Sequence, residues 1–127
     1  MPKTYYLANK LLDHTLRNTP YTSPTSCFVG LFLNIPTADG ITAPIEPLTG
    51  YIREPVTFGA SAAGQILSSS AVLFTANSDW GDVLAYGYFD SASGGNLLYF
   101  KPLLPTRTFL TGDTYLFPIG TLAISEL

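Results

Sequence analysis

The sequence predicts a mainly β protein, a β-sandwich of about seven or eight short antiparallel strands with one N-terminal amphipathic helix. Three observations predict it. Short runs rich in Val, Tyr, Phe and Leu recur between clusters of Gly, Pro, Ser and Asp, as strands recur between turns. Residues 79–100 read DWGDVLAYGYFDSASGGNLLYF, a hairpin in which apolar runs at 83–89 and 96–101 flank a turn at 90–95. Ser91, Ser93, Gly94 and Gly95 supply the turn chemistry, and the glycines accept positive φ without a Cβ clash. Finally, one stretch near the N-terminus spaces its leucines as a helix does.

By length the chain is one domain, 1–127, with residues 1–20 forming the helix and its connector and 21–127 the sandwich. The helix is expected over residues 4 to about 18. Leu7, Leu11, Leu12 and Leu16 form one apolar stripe, with Asn9, Lys10, Asp13 and Arg17 mostly opposite. Thr4 caps its start, and Asn18-Thr19-Pro20 stops it, because the residue before a proline is pushed out of the α region. A helix this short is marginal alone, so its leucines must dock on the chain's own sheet or on a neighbouring subunit.

Residues 26–33 (SCFVGLFL) read as a strand apolar on both faces, Phe28 and Phe32 on one side, Val29, Leu31 and Leu33 on the other. Residues 34–51 form a long loop with Pro36, Pro44 and Pro47, and loops of this length are usually functional or contact-forming. Residues 53–58 belong at a sheet edge, since Pro55 has no amide hydrogen. After a turn at 59–64, residues 65–75 read as one strand with serines in its middle. The hairpin places Val83 and Phe89 on one face and Leu84, Tyr86 and Tyr88 on the other. One face suits the core; the second needs another sheet, the helix or a partner. Pro102 and Pro105 break the hairpin's exit, residues 106–110 make a separate short strand, and Gly112-Asp113 is a tight turn. Residues 114–117 and 121–125 read as the final pair.

Charge is the unusual feature. Only 12% of residues are charged, about half the ~25% of an ordinary soluble domain. With 46% apolar residues, part of the surface must be apolar or weakly polar, and such patches mark contacts with other proteins. The alternative is a surface covered by Ser and Thr, which are plentiful here. The six cations, Lys3, Lys10, Arg17, Arg53, Lys101 and Arg107, are scattered, so no nucleic-acid partner is expected. No apolar run approaches the roughly 20 residues of a bilayer span, so no membrane partner is expected. Asn9, Lys10 and Asp13 interrupt what would be the apolar region of a signal peptide. Cys27, the one cysteine, allows no internal disulfide, which fits synthesis in a reducing cytosol.

The search for chemistry finds no enzyme, and no cofactor or metal is expected. His14 is the one histidine and has no second ligand at helical spacing. Cys27 lies among apolar neighbours and reads as a small buried thiol rather than a nucleophile. Residues 59–64 (GASAAG) miss the G-x-S-x-G elbow by one position. Asp79 and Asp82 flank Trp80-Gly81 and suit a shared Ca²⁺, but they lack the spacing of a dedicated loop. Turn roles suit Asp79, Asp90 and Asp113 better. Trp80, beside tyrosines, is either a sugar-stacking platform or, more often in β proteins, a core or interface anchor.

Taken in order, LANKLLDHTLRN, YTSP, FVGLFL with PTADG after it, GYIREPVTFGA, DWG, YFDSASGGNLLYF and TGDTYLFPIGTLAI resemble a family of short virion proteins of tailed bacteriophages. Its members are commonly labelled tail-fibre or minor structural proteins. The resemblance runs from residue 7 to about residue 124 and is strongest at 51–60, 79–81 and 89–99. It implies a structural component of the virion, made in the host bacterial cytoplasm, and no catalytic residue. The proline-rich loop at 41–48 and the segment 102–105 depart from the pattern.

The resulting expectation is a non-enzymatic capsid cement or decoration protein that stabilises the shell by contacts with the major capsid protein. The alternative is a tail, baseplate or tail-fibre component that contacts tail proteins and binds a receptor or glycan. Either way a homo-oligomer is expected. The candidate interface comprises Leu7, Leu11, Leu12 and Leu16 of the helix, Ile41, Pro44, Ile45 and Leu48 of the long loop as a clamp, and Trp80, Tyr86 and Tyr88 of the hairpin region.

Overall fold

The structure, a computed structural model, describes residues 2–126; Met1 and Leu127 lie outside the described residues. Helix α1 (Tyr5–Leu16) precedes β1 (Cys27–Phe32), β2 (Glu54–Val56), β3 (Gln65–Leu67), β4 (Val72–Thr75), β5 (Gly81–Phe89), β6 (Leu97–Phe109), β7 (Thr114–Phe117) and β8 (Ala123–Ser125). Four strands form one antiparallel sheet in the order β2-β1-β5-β6, and β3–β8 and β4–β7 form two antiparallel pairs. The mainly β class and the N-terminal helix are as the sequence predicts, and the arrangement is sandwich-like. β2 lies at a sheet edge, where Pro55 costs no ladder bond.

The main core follows from strand alternation. Val29 and Leu31 of β1, Val83 and Tyr88 of β5 and Leu103 and Phe109 of β6 cluster with Val72, Phe74, Phe117 and Ile124 of the paired strands. On the second face of the large sheet, Phe32, Ala85, Phe89 and Phe100 form a smaller cluster, with Ala38 of the long loop packed on it. Phe32 and Phe89 meet edge to face, 5.7 Å between centroids. The chain's own loop therefore contributes to covering the face for which the sequence offered a second sheet, the helix or a partner.

Four local expectations are corrected. Val83 shares the main core with Tyr86 and Tyr88, whereas Phe89 points the other way with Ala85. The cause is a register break: Val83 pairs with Arg107 but Ala85 with Pro102, so the alternation restarts across the irregularity. For the same reason residues 102–105 do not end the strand. The extra residues of β6 loop out, leave Leu104 82% exposed, and pairing resumes at Arg107. Residues 65–75 are two strands rather than one. Ser68 is buried at the break, and its hydroxyl accepts the backbone N–H groups of Gly120 at 3.1 Å and Leu122 at 3.3 Å. Such a side-chain bond competes with the ladder and turns the chain. As a result β7 and β8 do not pair with each other; each returns to a different half of the split segment.

Helix α1 begins as expected. Thr4 caps it, accepting from Leu7 N, and also donates its hydroxyl to the Leu97 carbonyl at 2.7 Å, which pins the helix start to β6. The helix ends before Asn18, which adopts a left-handed φ of 54°.

The tyrosines of this fold set its alkaline limit. Burial pushes the hydroxyls of Tyr51, Tyr86, Tyr88 and Tyr99 above the ordinary tyrosine range, and the Glu46 and Glu126 carboxylates add to the shift at Tyr51 and Tyr99. A raised folded-state value means their stabilisation is complete below about pH 10, the unfolded value, and is lost as pH rises further. Phenolate absorbance from these groups is expected to appear together with loss of the β circular dichroism signal. A phenolate step from them at lower pH, with the fold intact, would contradict this.

Candidate functional site

The loop at 34–51 is built from its own polar groups. Asn34 clasps it, accepting from Ile45 N at 2.9 Å and donating to the Ala43 carbonyl at 2.8 Å. Within it Asp39 accepts from the Thr37 hydroxyl at 2.6 Å and Ile41 N at 2.9 Å, and these bonds hold its carboxyl below the usual range. The turn so fixed displays Ile41, 86% exposed, and Leu48 further on is 97% exposed.

The loop returns to the body through Glu46. Arg53 grips this carboxylate with two bonds of 2.9 Å, and Tyr51 donates its hydroxyl to it at 2.6 Å. The same Tyr51 oxygen accepts Leu31 N at 3.0 Å. Arg53 also donates to the carbonyls of Ser91 and Gly94, 2.8 Å each, and its guanidinium lies 3.4 Å from the Phe89 ring centroid. One side chain thus ties the long loop and the hairpin turn to the sheet. Gly30 makes room for it: a Cβ there would lie 2.7 Å from the Phe89 ring and 3.0 Å from the Glu46 carboxylate. Sequence reasoning passed over Glu46 and treated Arg53 only as a scattered cation. The available signal was that a chain so short of charges sets two of them beside apolar strands.

The predicted interface residues divide into three groups. Ile41, Ile45 and Leu48 are exposed on the loop, while Pro44 is half-buried. On α1, Leu7 is buried and Leu11 half-buried, but Leu12 is exposed and Leu16 is 77% exposed. These two flank a groove of about 540 Å³ between the helix and Lys3, Tyr99 and Glu126. Lys3 and Tyr99 both donate to the Glu126 carboxylate. The third group lies inside. Trp80 is 6% exposed and Tyr88 fully covered, and Tyr86 is half-buried against the main core. The register break in β5 puts Tyr86 and Tyr88 on the same face as Val83, towards the main core, while Trp80, just before β5, packs against Tyr51 and Phe109.

Other candidates also have local roles. Asp79 accepts the N–H and hydroxyl of Thr111 at 2.8 and 2.9 Å, and Asp82 accepts the Thr108 hydroxyl, so each is engaged separately. Asp90 accepts Asn96 N at 2.7 Å and closes the hairpin turn. His14 accepts Tyr21 N at 3.1 Å and holds the connector to the helix. Burial, and then the Asp90 carboxylate, push the Cys27 thiol up, away from the thiolate form a nucleophile needs. Cys27 lines an apolar cavity of about 370 Å³ with Phe58, Ile66, Tyr88, Leu98 and Ile124. Among the described residues no group of three His, Cys, Asp or Glu side chains is placed to hold a metal ion, and no helix is long and apolar enough to cross a membrane.

Fold and surface together define a mainly antiparallel β protein that presents apolar side chains on ordered loops and on an incompletely covered helix. Residues 2–125 match the family of Podophage GP4 fiber I protein gp80, and the chain belongs to that family. No curated protein matches it. The family is one of phage fibre and virion structural proteins, as the order of sequence motifs implied. It speaks for the fibre alternative and gives no support to capsid cement.

Proposed function

We propose that this chain is a non-enzymatic tail-fibre component that joins the particle through the uncovered stripe of α1, with the loop carrying Ile41, Ile45 and Leu48 as a clamp. The observation that carries this reading is the state of the stripe. The helix is pinned at its start, yet of its four leucines only Leu7 is buried, and Leu12 and Leu16 stand beside an open groove. A short helix gains most of its stability from burying its apolar face, so a partner that covers these leucines stabilises helix and complex together. Membership of a fibre family supports another tail protein as that partner.

Two measurements test this. Particles disrupted into heads and tails are expected to retain the protein with the tails; recovery with empty heads would refute the assignment. The double variant Leu12→Glu, Leu16→Glu is expected to unfold within about 1 kcal/mol of the wild type, because both residues are exposed. It is nevertheless expected to be missing from assembled particles. Normal incorporation of this variant would move the attachment surface elsewhere.

A further inference from the structure

The large sheet and the β3–β8 pair do not close fully on one another. Cys27 of β1, Tyr88 of β5 and Leu98 of β6 stand on one side of the gap, and the cross-strand pair Ile66 and Ile124 stands on the other. The cavity they enclose, about 370 Å³, is at the small end of the ~300–1,000 Å³ range of ligand pockets.

One buried group of this lining is unmet. Tyr88 is 2% exposed, and its hydroxyl has no hydrogen-bond partner. Among the described residues it is the one buried side-chain nitrogen or oxygen in that state. The buried hydroxyls of Thr4 and Ser68 are both bonded to backbone. The cause is what surrounds Tyr88. Its ring meets Phe58 edge-on at 5.5 Å, its neighbour across the sheet is Val29, and Ile66 and Ile124 across the gap end in methyl groups. Buried polar groups are nearly always paired, so an orphan beside a cavity marks a place for an absent acceptor. Water suits it poorly, because an ordered water needs roughly two to four polar partners. A charged molecule suits it no better. Glu126, the one carboxylate of the lining, already accepts from Lys3 and Tyr99, and no cation lines the cavity.

We propose that this cavity binds a small uncharged molecule with an apolar, ring-sized body and a carbonyl or ether oxygen. The oxygen accepts the Tyr88 hydroxyl, and the body lies among Phe58, Ile66 and Ile124. Apolar contact supplies the affinity, and the single donor selects ligands that carry an acceptor. The site lies between the layers, apart from the exposed leucines of α1, so its failure leaves the attachment surface untouched.

Acetophenone and ethylbenzene, which differ by a carbonyl in place of a methylene, are the probes for the full chain. Both are expected to shift the methyl resonances of Ile66, Leu98 and Ile124 saturably, and to slow alkylation of Cys27 by iodoacetamide. Tyr88→Phe is expected to weaken acetophenone about tenfold and leave ethylbenzene unchanged. Its melting temperature is expected to be no lower than that of the wild type, because an unmet hydroxyl is all that leaves. Tyr86→Phe, outside the cavity, is expected to change the binding of neither probe. Absence of saturable shifts at those methyls, or an equal effect of Tyr88→Phe on both probes, would overturn the proposal. So would a clear fall in its melting temperature, which would mean that the hydroxyl already has a partner.

Discussion

Arg53→Met is expected to cost about 2–3 kcal/mol, the range for losing hydrogen bonds to a charged group in a partly buried pair, read as a lower denaturant midpoint at an unchanged slope. The size of the effect comes from what remains rather than from what leaves. Glu46 is little exposed and returns the long loop to the sheet, and without Arg53 its carboxylate keeps only the Tyr51 hydroxyl. The carbonyls of Ser91 and Gly94 lose the same donor, and the Phe89 ring loses the cation stacked on it. Breaking one side of a partly buried pair leaves the other charge without its partner and is more damaging than replacing both sides. The double variant Glu46→Gln, Arg53→Met is therefore expected to recover a large part of the loss. If the two single substitutions simply added, the pair would not act as a unit, and the loop would be held by something else.

This ion pair also shows where sequence reasoning stops. Signals that lie within a few residues were legible: the Gly94-Gly95 turn, the edge position imposed by Pro55, the cap at Thr4 and the leucine stripe. Pairings that depend on distant residues were not. Nothing near Val72 states that it will face Phe117, and nothing near Arg53 states that it will reach across to Gly94. The serines in the middle of residues 65–75 looked like a polar face of one strand, because the Ser68 hydroxyl's partners, Gly120 and Leu122, lie more than fifty residues away. The shortage of charge was read as apolar surface, and the structure does expose fourteen large apolar side chains among the described residues. Which aromatic residues belonged to that surface was misread. A strict two-residue alternation fails wherever a bulge adds residues, and β5–β6 contains such a break between Val83 and Ala85.

Trp80→Ala is expected to cost about 3–5 kcal/mol, the range for truncating a large aromatic side chain in a core. The indole meets Tyr51 edge-on at 5.5 Å and Phe109 at 5.4 Å, and its Nε1–H donates to the Thr49 carbonyl at 3.1 Å. Alanine would leave a cavity between β6 and the end of the long loop, where the backbone is held by Asn77 N donating to the Gly50 carbonyl and Trp80 N to that of Phe109. Those bonds resist collapse, so little of the lost contact is recovered. Trp80→Phe separates packing from hydrogen bonding. Phenylalanine keeps most of the apolar volume, and the Thr49 carbonyl still accepts the Ser78 hydroxyl, so a cost of about 1 kcal/mol is expected. Wild-type emission is expected to be that of a shielded indole, unchanged by added sugars and shifted to the red only on unfolding. A Trp80→Ala variant as stable as the wild type, or emission that responds to a glycan while the fold persists, would return Trp80 to the sugar-stacking or interface role that the sequence also offered.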